Sequence, residues 1–175
     1  MDISRYIDYT LLTPDATMED IATLCQEAVE NDFYSVCVQP YRVFDAVLFL
    51  REELNRTTVC TVVGFPLGAN FTSVKVKETE DVLEVYPDCE IDMVMNLGAF
   101  KDKNYSIVEN EIKGILSLTP NVKVIIQTGV LTPEQIIIAS KIVSQCGAKF
   151  VKTSTGMVKS SKPATVEDIS LIHEA

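Results

Sequence analysis

The sequence predicts a parallel α/β fold of the TIM (β/α)8-barrel type, with six β/α units in 175 residues. Three observations carry that expectation. Short β-branched runs alternate with segments of helical periodicity. The connections between them are short, with no linker or low-complexity tract. Polar residues recur inside or just after the strands, where a barrel gathers its functional groups. An open doubly wound sheet satisfies the first two observations equally well. Its nucleotide-binding versions lose support, because no GxGxxG follows the first strand and no GxxxxGK[ST] occurs.

The elements follow in order. YIDYT (6–10) is a weak first strand. Thr17 to Asp20 forms a capping box, after which Ile21, Leu24, Cys25, Ala28 and Val29 make one apolar helix face. SVCVQ (35–39), VCTVVG (59–64), EIDMVMN (90–96), VKVIIQT (122–128) and FVKTST (150–155) read as buried parallel strands. Helices are expected near 42–54, 73–86 and 105–117. Thr132-Pro133-Glu134-Gln135 opens another with a second box and a proline at its first position, and Gly147 closes it. Thr165 to Asp168 opens the sixth.

Composition narrows the function. The net charge of −10, with no basic block to offset it, argues against a nucleic-acid partner. The richest apolar patch, AVLFL (46–50), runs straight into Arg51 and two glutamates, so no membrane span is expected. The five cysteines lie apart without a CxxC pair, and His173 is the lone histidine, so neither a metal site nor a disulfide framework is expected. Free thiols suit a reducing cytoplasm.

The chemistry centres on KFVKTSTG (149–156), where Lys152 interrupts an apolar strand. Residues two apart in a strand share a face, so Lys152 points with Ser154, Asp92 with Val94, and Asp8 with Thr10. If those faces line a barrel interior, an amine and a carboxylate come within reach. A desolvated amine is partly neutral at pH 7 and attacks carbonyls, while a carboxylate moves protons during carbinolamine dehydration. The other reading is structural: Lys152 carries its charge to the barrel rim and pairs there with Asp92.

The chain resembles the deoxyribose-phosphate aldolases, lysine Schiff-base enzymes that need no cofactor. The resemblance rests on YIDYTLLTPDAT (6–17), SVCVQP (35–40), CTVVGFPLGAN (60–70), EIDMVMNLGAF (90–100), KVIIQTGVLT (123–132) and FVKTSTG (150–156). It implies that Lys152 forms the Schiff base and that Asp92 assists proton transfer. It also implies that Asp8, Thr10, Cys37, Ser154 and Gly156 line the site of a small phosphorylated sugar, although Cys37 also reads as a small buried core residue. Family members often form dimers or tetramers, so a homo-oligomer is expected.

The departures are specific. Tyr9 stands where the family usually has histidine, Gln39 where it has asparagine, and Gln127 where it has glutamate. The family also continues beyond the sixth helix into two further strands, which carry a second lysine and phosphate-binding turns. Residues 1–175 are therefore expected to be one aldolase-type barrel domain truncated after that helix, with Lys159 and Lys162 left in a solvated loop. Two functions follow. One is reversible cleavage of 2-deoxy-D-ribose 5-phosphate to glyceraldehyde 3-phosphate and acetaldehyde. The other is a catalytically impaired homologue acting as an oligomerising or binding module.

Overall fold

The computed structural model describes residues 3–158 and 162–175, so Lys159 lies outside the described residues. Its strands are β1 (Asp8–Leu11), β2 (Ser35–Val38), β3 (Thr58–Val63), β4 (Glu90–Val94), β5 (Val122–Ile125) and β6 (Phe150–Lys152). The α-helices are α1 (Met18–Glu30), α2 (Val43–Leu50), α3 (Thr72–Val85), α4 (Leu97–Lys101), α5 (Tyr105–Leu116), α6 (Pro133–Cys146) and α7 (Val166–Glu174). The six strands follow one another in sheet order β1-β2-β3-β4-β5-β6. The β1–β2, β2–β3 and β5–β6 pairs are parallel, as a strand–helix–strand repeat requires.

The chain divides into two compact units. The first holds 1–62 and 80–91, the second 63–79 and 92–175. In the first, β1 and β2 pair with Thr10 opposite Cys37, and β2 and β3 with Cys37 opposite Cys60. Helix α1 starts where its box predicts. Thr17 Oγ1 accepts the Asp20 N–H and Asp20 accepts the Thr17 N–H, leaving two fewer orphan donors at the first turn. Its buried face is Ile21, Leu24, Cys25 and Ala28. Burial pushes the Cys25 thiol up to about 12, so it is an inert core group.

In the second unit, α6 begins at the Thr132–Gln135 box and ends at Gly147 in the left-handed conformation (φ 92°). Helix α7 begins at the Thr165–Asp168 box. Three expectations shift here. Strand β4 stops at Val94 rather than Asn96, because the Asn96 side chain turns to cap the short α4 through the Ala99 N–H. Strand β5 stops at Ile125 rather than Thr128, because Gln127 adopts φ 60° and ψ 59° and a 3-10 turn follows. Strand β6 is not a buried strand: Phe150 is 56% exposed and Lys152 half-buried, since β6 ends the sheet order and has only β5 beside it.

The loop GFPLGAN joins β3 to α3, and its glycines make room for neighbours. A Cβ at Gly64 (φ 64°) would meet Lys75 Cε at 2.9 Å, and one at Gly68 (φ 68°) would collide with the Met95 carbonyl. The motif therefore lets the loop lie directly on the end of β4.

Candidate active site

Asp92 is the centre of the site, and β4 holds it with no solvent exposure. Its Oδ2 accepts a hydrogen bond from Lys152 Nζ. Its Oδ1 lies 3.2 Å from Lys123 Nζ on β5, an ion pair without hydrogen-bond alignment. The strand register explains the grouping. Ile125 stands opposite Lys152, and Lys123 is two residues before Ile125 on the same face. Two lysines thus share one buried carboxylate. The Lys152 side chain keeps 31% of its surface open, against 9% for Lys123.

The segment after Lys152 is tied to β5 by the backbone. Lys152 and Thr153 carbonyls accept the N–H groups of Ile126 and Thr128 at 3.0 and 2.8 Å. The Thr155 N–H donates to Gln127 Oε1 at 3.0 Å, and the Thr155 hydroxyl accepts the Met157 N–H at 3.2 Å. Gly156 adopts φ 72° beside open space. Gln127, Ser154, Gly156 and Lys162 line a cavity of about 350 Å³. This size suits a small ligand.

The structure therefore brings Lys152, Asp92, Ser154 and Gly156 into one region of the second unit. In the first unit, Asp8 accepts a hydrogen bond from Ser35 Oγ at 2.7 Å, and the Thr10 hydroxyl donates to the Asp8 carbonyl at 2.8 Å. Cys37 is fully buried between its strand neighbours Thr10 and Cys60.

Lys123 is the residue that sequence reasoning missed. The signal was present. Lys123 is a charged residue inside a buried strand, the same anomaly that singled out Lys152. A further buried pair backs the end of β4. Lys75 Nζ donates to Glu111 Oε2 at 2.6 Å and to the Val94 carbonyl at 2.8 Å. Glu111 Oε1 accepts the Asn96 N–H at 2.7 Å. Burial holds the Lys75 ammonium below the ordinary lysine range and raises the Glu111 carboxyl, with the partner's charge opposing each shift.

The chain is similar to known aldolases. No family model matches the chain. The deoxyribose-phosphate aldolase of Thermococcus kodakarensis is 49% identical over 99% of this chain, which spans 78% of that protein. The solved structure described as "QR15, an Aldolase" superposes with a TM-score of 0.90 at 39% identity, covering 99% of this chain and 76% of that one. The tetrameric deoxyribose phosphate aldolase of Aeropyrum pernix gives a TM-score of 0.78 at 32% identity, covering 89% of this chain and 65% of its own. The six β/α units are those of the barrel fold these aldolases share.

Proposed function

The chain belongs to the deoxyribose-phosphate aldolase family, and from that premise we propose that it cleaves 2-deoxy-D-ribose 5-phosphate reversibly to D-glyceraldehyde 3-phosphate and acetaldehyde. The observation that carries the reading is the bond between Lys152 and the buried Asp92, on the strand the reactive lysine should occupy.

Lys152 in its neutral form attacks the C1 aldehyde and gives a carbinolamine. Loss of water, with Asp92 supplying and receiving protons, leaves the iminium. The iminium draws the electron pair of the C2–C3 bond as that bond breaks and the C3 hydroxyl loses its proton. Glyceraldehyde 3-phosphate departs, and the remaining enamine is protonated at C2 and hydrolysed to acetaldehyde and free Lys152. Lys123 contributes charge. A second ammonium on the same carboxylate opposes the charged form of Lys152, the amine more open to substrate. Ser154 and Gly156 line the sugar's path, while the substrate roles of Asp8, Thr10 and Cys37 rest on the family resemblance.

The tetrameric Aeropyrum pernix relative supports self-association here too. Among the described residues no helix is long and apolar enough to cross a membrane. The five free thiols favour a reducing compartment, for which we take the cytoplasm. A role as a purely oligomerising or binding module has less support, because it leaves the assembled Lys152–Asp92–Lys123 group unexplained.

Borohydride reduction of the chain with 2-deoxyribose 5-phosphate tests the reading. The expected product is one sugar-derived adduct, mapped by mass spectrometry to Lys152 and lost in Lys152→Met. A chain that stays unlabelled while a complete relative labels fully under the same conditions would sink it.

A further inference from the structure

A sealed ion pair is a poor way to stabilise a core. Apolar side chains of similar size often serve as well or better, because two charges must lose their water. Lys75 and Glu111 are sealed in this way, each side chain with no exposure. Their use lies in the bonds they make besides their own. Lys75 Nζ also donates to the Val94 carbonyl at 2.8 Å, and Glu111 Oε1 accepts the Asn96 N–H at 2.7 Å.

The residue between those anchors is held as well. The Met95 N–H donates to the Ile125 carbonyl at 3.1 Å, and Gly68 lies against the Met95 carbonyl. The end of β4 is thus fixed at Val94, Met95 and Asn96 in succession. Both members of the reactive pair depend on it. Val94 is two residues beyond Asp92 and shares its face. Ile125, to which Met95 is bonded, stands opposite Lys152 in the β5–β6 register. A shift at the end of β4 therefore moves the Asp92 carboxylate relative to Lys152 Nζ. Proton transfer needs that carboxylate within hydrogen-bond reach, and a misplacement of about 1 Å is costly.

We propose that Lys75 and Glu111 are positioning residues for the aldolase reaction, holding β4 so that Asp92 stays on Lys152 while protons move. Their part in the reaction rests on the aldolase reading, whereas the placement of Asp92 rests on the bonds alone.

The experiment compares the parent chain with the double variant Lys75→Met, Glu111→Leu and with Glu111→Gln, each shown to be folded. The double variant removes both anchors. Glu111→Gln keeps them in neutral form: its Oε1 accepts the Asn96 N–H, its Nε2 donates to an uncharged Lys75, and Lys75 still donates to Val94. Burial already favours that uncharged lysine. With 2-deoxyribose 5-phosphate and borohydride, the saturating rate of Lys152 labelling should fall about tenfold in the double variant, while the half-saturating sugar concentration changes by less than about twofold. Without sugar, the pH at which acetic anhydride acylates Lys152 at half its maximal rate should fall. A displaced Asp92 supports the ammonium less, and Lys123 still opposes it. Glu111→Gln should recover most of both changes, which a loss of stability alone would not produce in folded protein.

A folded double variant that matches the parent in either readout overturns the proposal, as does a Glu111→Gln chain that behaves like the double variant. If the double variant does not fold, Lys75→Met decides, since it frees the Val94 carbonyl and leaves Asn96 bound; unchanged readouts there overturn the proposal equally. The two readings fail separately. A parent chain that takes no borohydride adduct defeats the aldolase reading and leaves acylation to judge the placement. An unmoved acylation midpoint defeats the placement even where the adduct forms.

Discussion

Two lysine–carboxylate pairs lie in the same compact unit, and they are opposites. Lys75 and Glu111 are sealed, each side chain with no exposure, and every bond they make holds a neighbour in place. In the other pair Asp92 is buried but Lys152 is partly open, with a second lysine on the other carboxylate oxygen. One charge balances one charge in the first pair. In the second, two amines reach one carboxylate. Balance and sealing make a structural clamp, whereas two amines on one carboxylate beside an opening make a reactive site. A buried lysine alone distinguishes neither.

The largest effect should come from breaking the sealed pair. Glu111→Leu leaves Lys75 buried without a counter-charge, so stability should fall by about 3–5 kcal/mol. The double variant Lys75→Met, Glu111→Leu should recover part of that loss, because only the neutral Val94 carbonyl and Asn96 amide then lack partners. Denaturant melts of the three proteins check this. A double variant less stable than either single one would show that the pair is no clamp.

Lys123→Met sharpens the other side of the comparison. With one ammonium gone, Asp92 binds Lys152 alone and holds its charged form more firmly. Borohydride trapping at pH 7 should slow about tenfold, and its rise with pH should move upward. Trapping that matches the parent chain from pH 6 to 10 would reduce Lys123 to a packing residue.

The smallest effect concerns a surface pair in the first unit. Asp32 bridges Arg5 at 3.2 Å and Arg56 at 2.8 Å, and the Arg56 guanidinium holds its carboxyl below the usual value of 3.8. A depressed carboxyl stabilises the fold above its unfolded value, and that contribution fades as pH falls through the folded one. Asp32→Asn, which keeps a residue tolerant of φ 54°, should flatten the loss of stability below pH 3.8 and cost at pH 7 the same small amount that the acid slope loses. An unchanged acid slope would remove Asp32 from the account.

The parts legible in the sequence were those whose signals are local. The three capping boxes at Thr17, Thr132 and Thr165 each start a helix because the box needs only four consecutive residues. Lys152 and Asp92 were legible because a charge inside a buried strand is costly and so conspicuous. What stayed hidden depends on distant partners. Helix α4 is only five residues long, and its cap Asn96 is held by Glu111 on another helix. Lys75 sits in VKVKETE, which reads as an ordinary solvated helix face. Nothing local says that Gly64 has no side chain so that Lys75 can pass beneath it. The early end of β5 was equally hidden, because Gln127 has its left-handed backbone only in the company of Thr155.

The sealing of Lys75 also bears on how this protein would report its own opening. An amine-acylating reagent meets most lysines on the native surface, and Lys75 is closed to it while α3, α5 and the end of β4 stay together. An acyl group on Lys75 therefore dates a moment when those elements had parted. The residue acts as a clock for rare openings, written into the chain as a covalent mark.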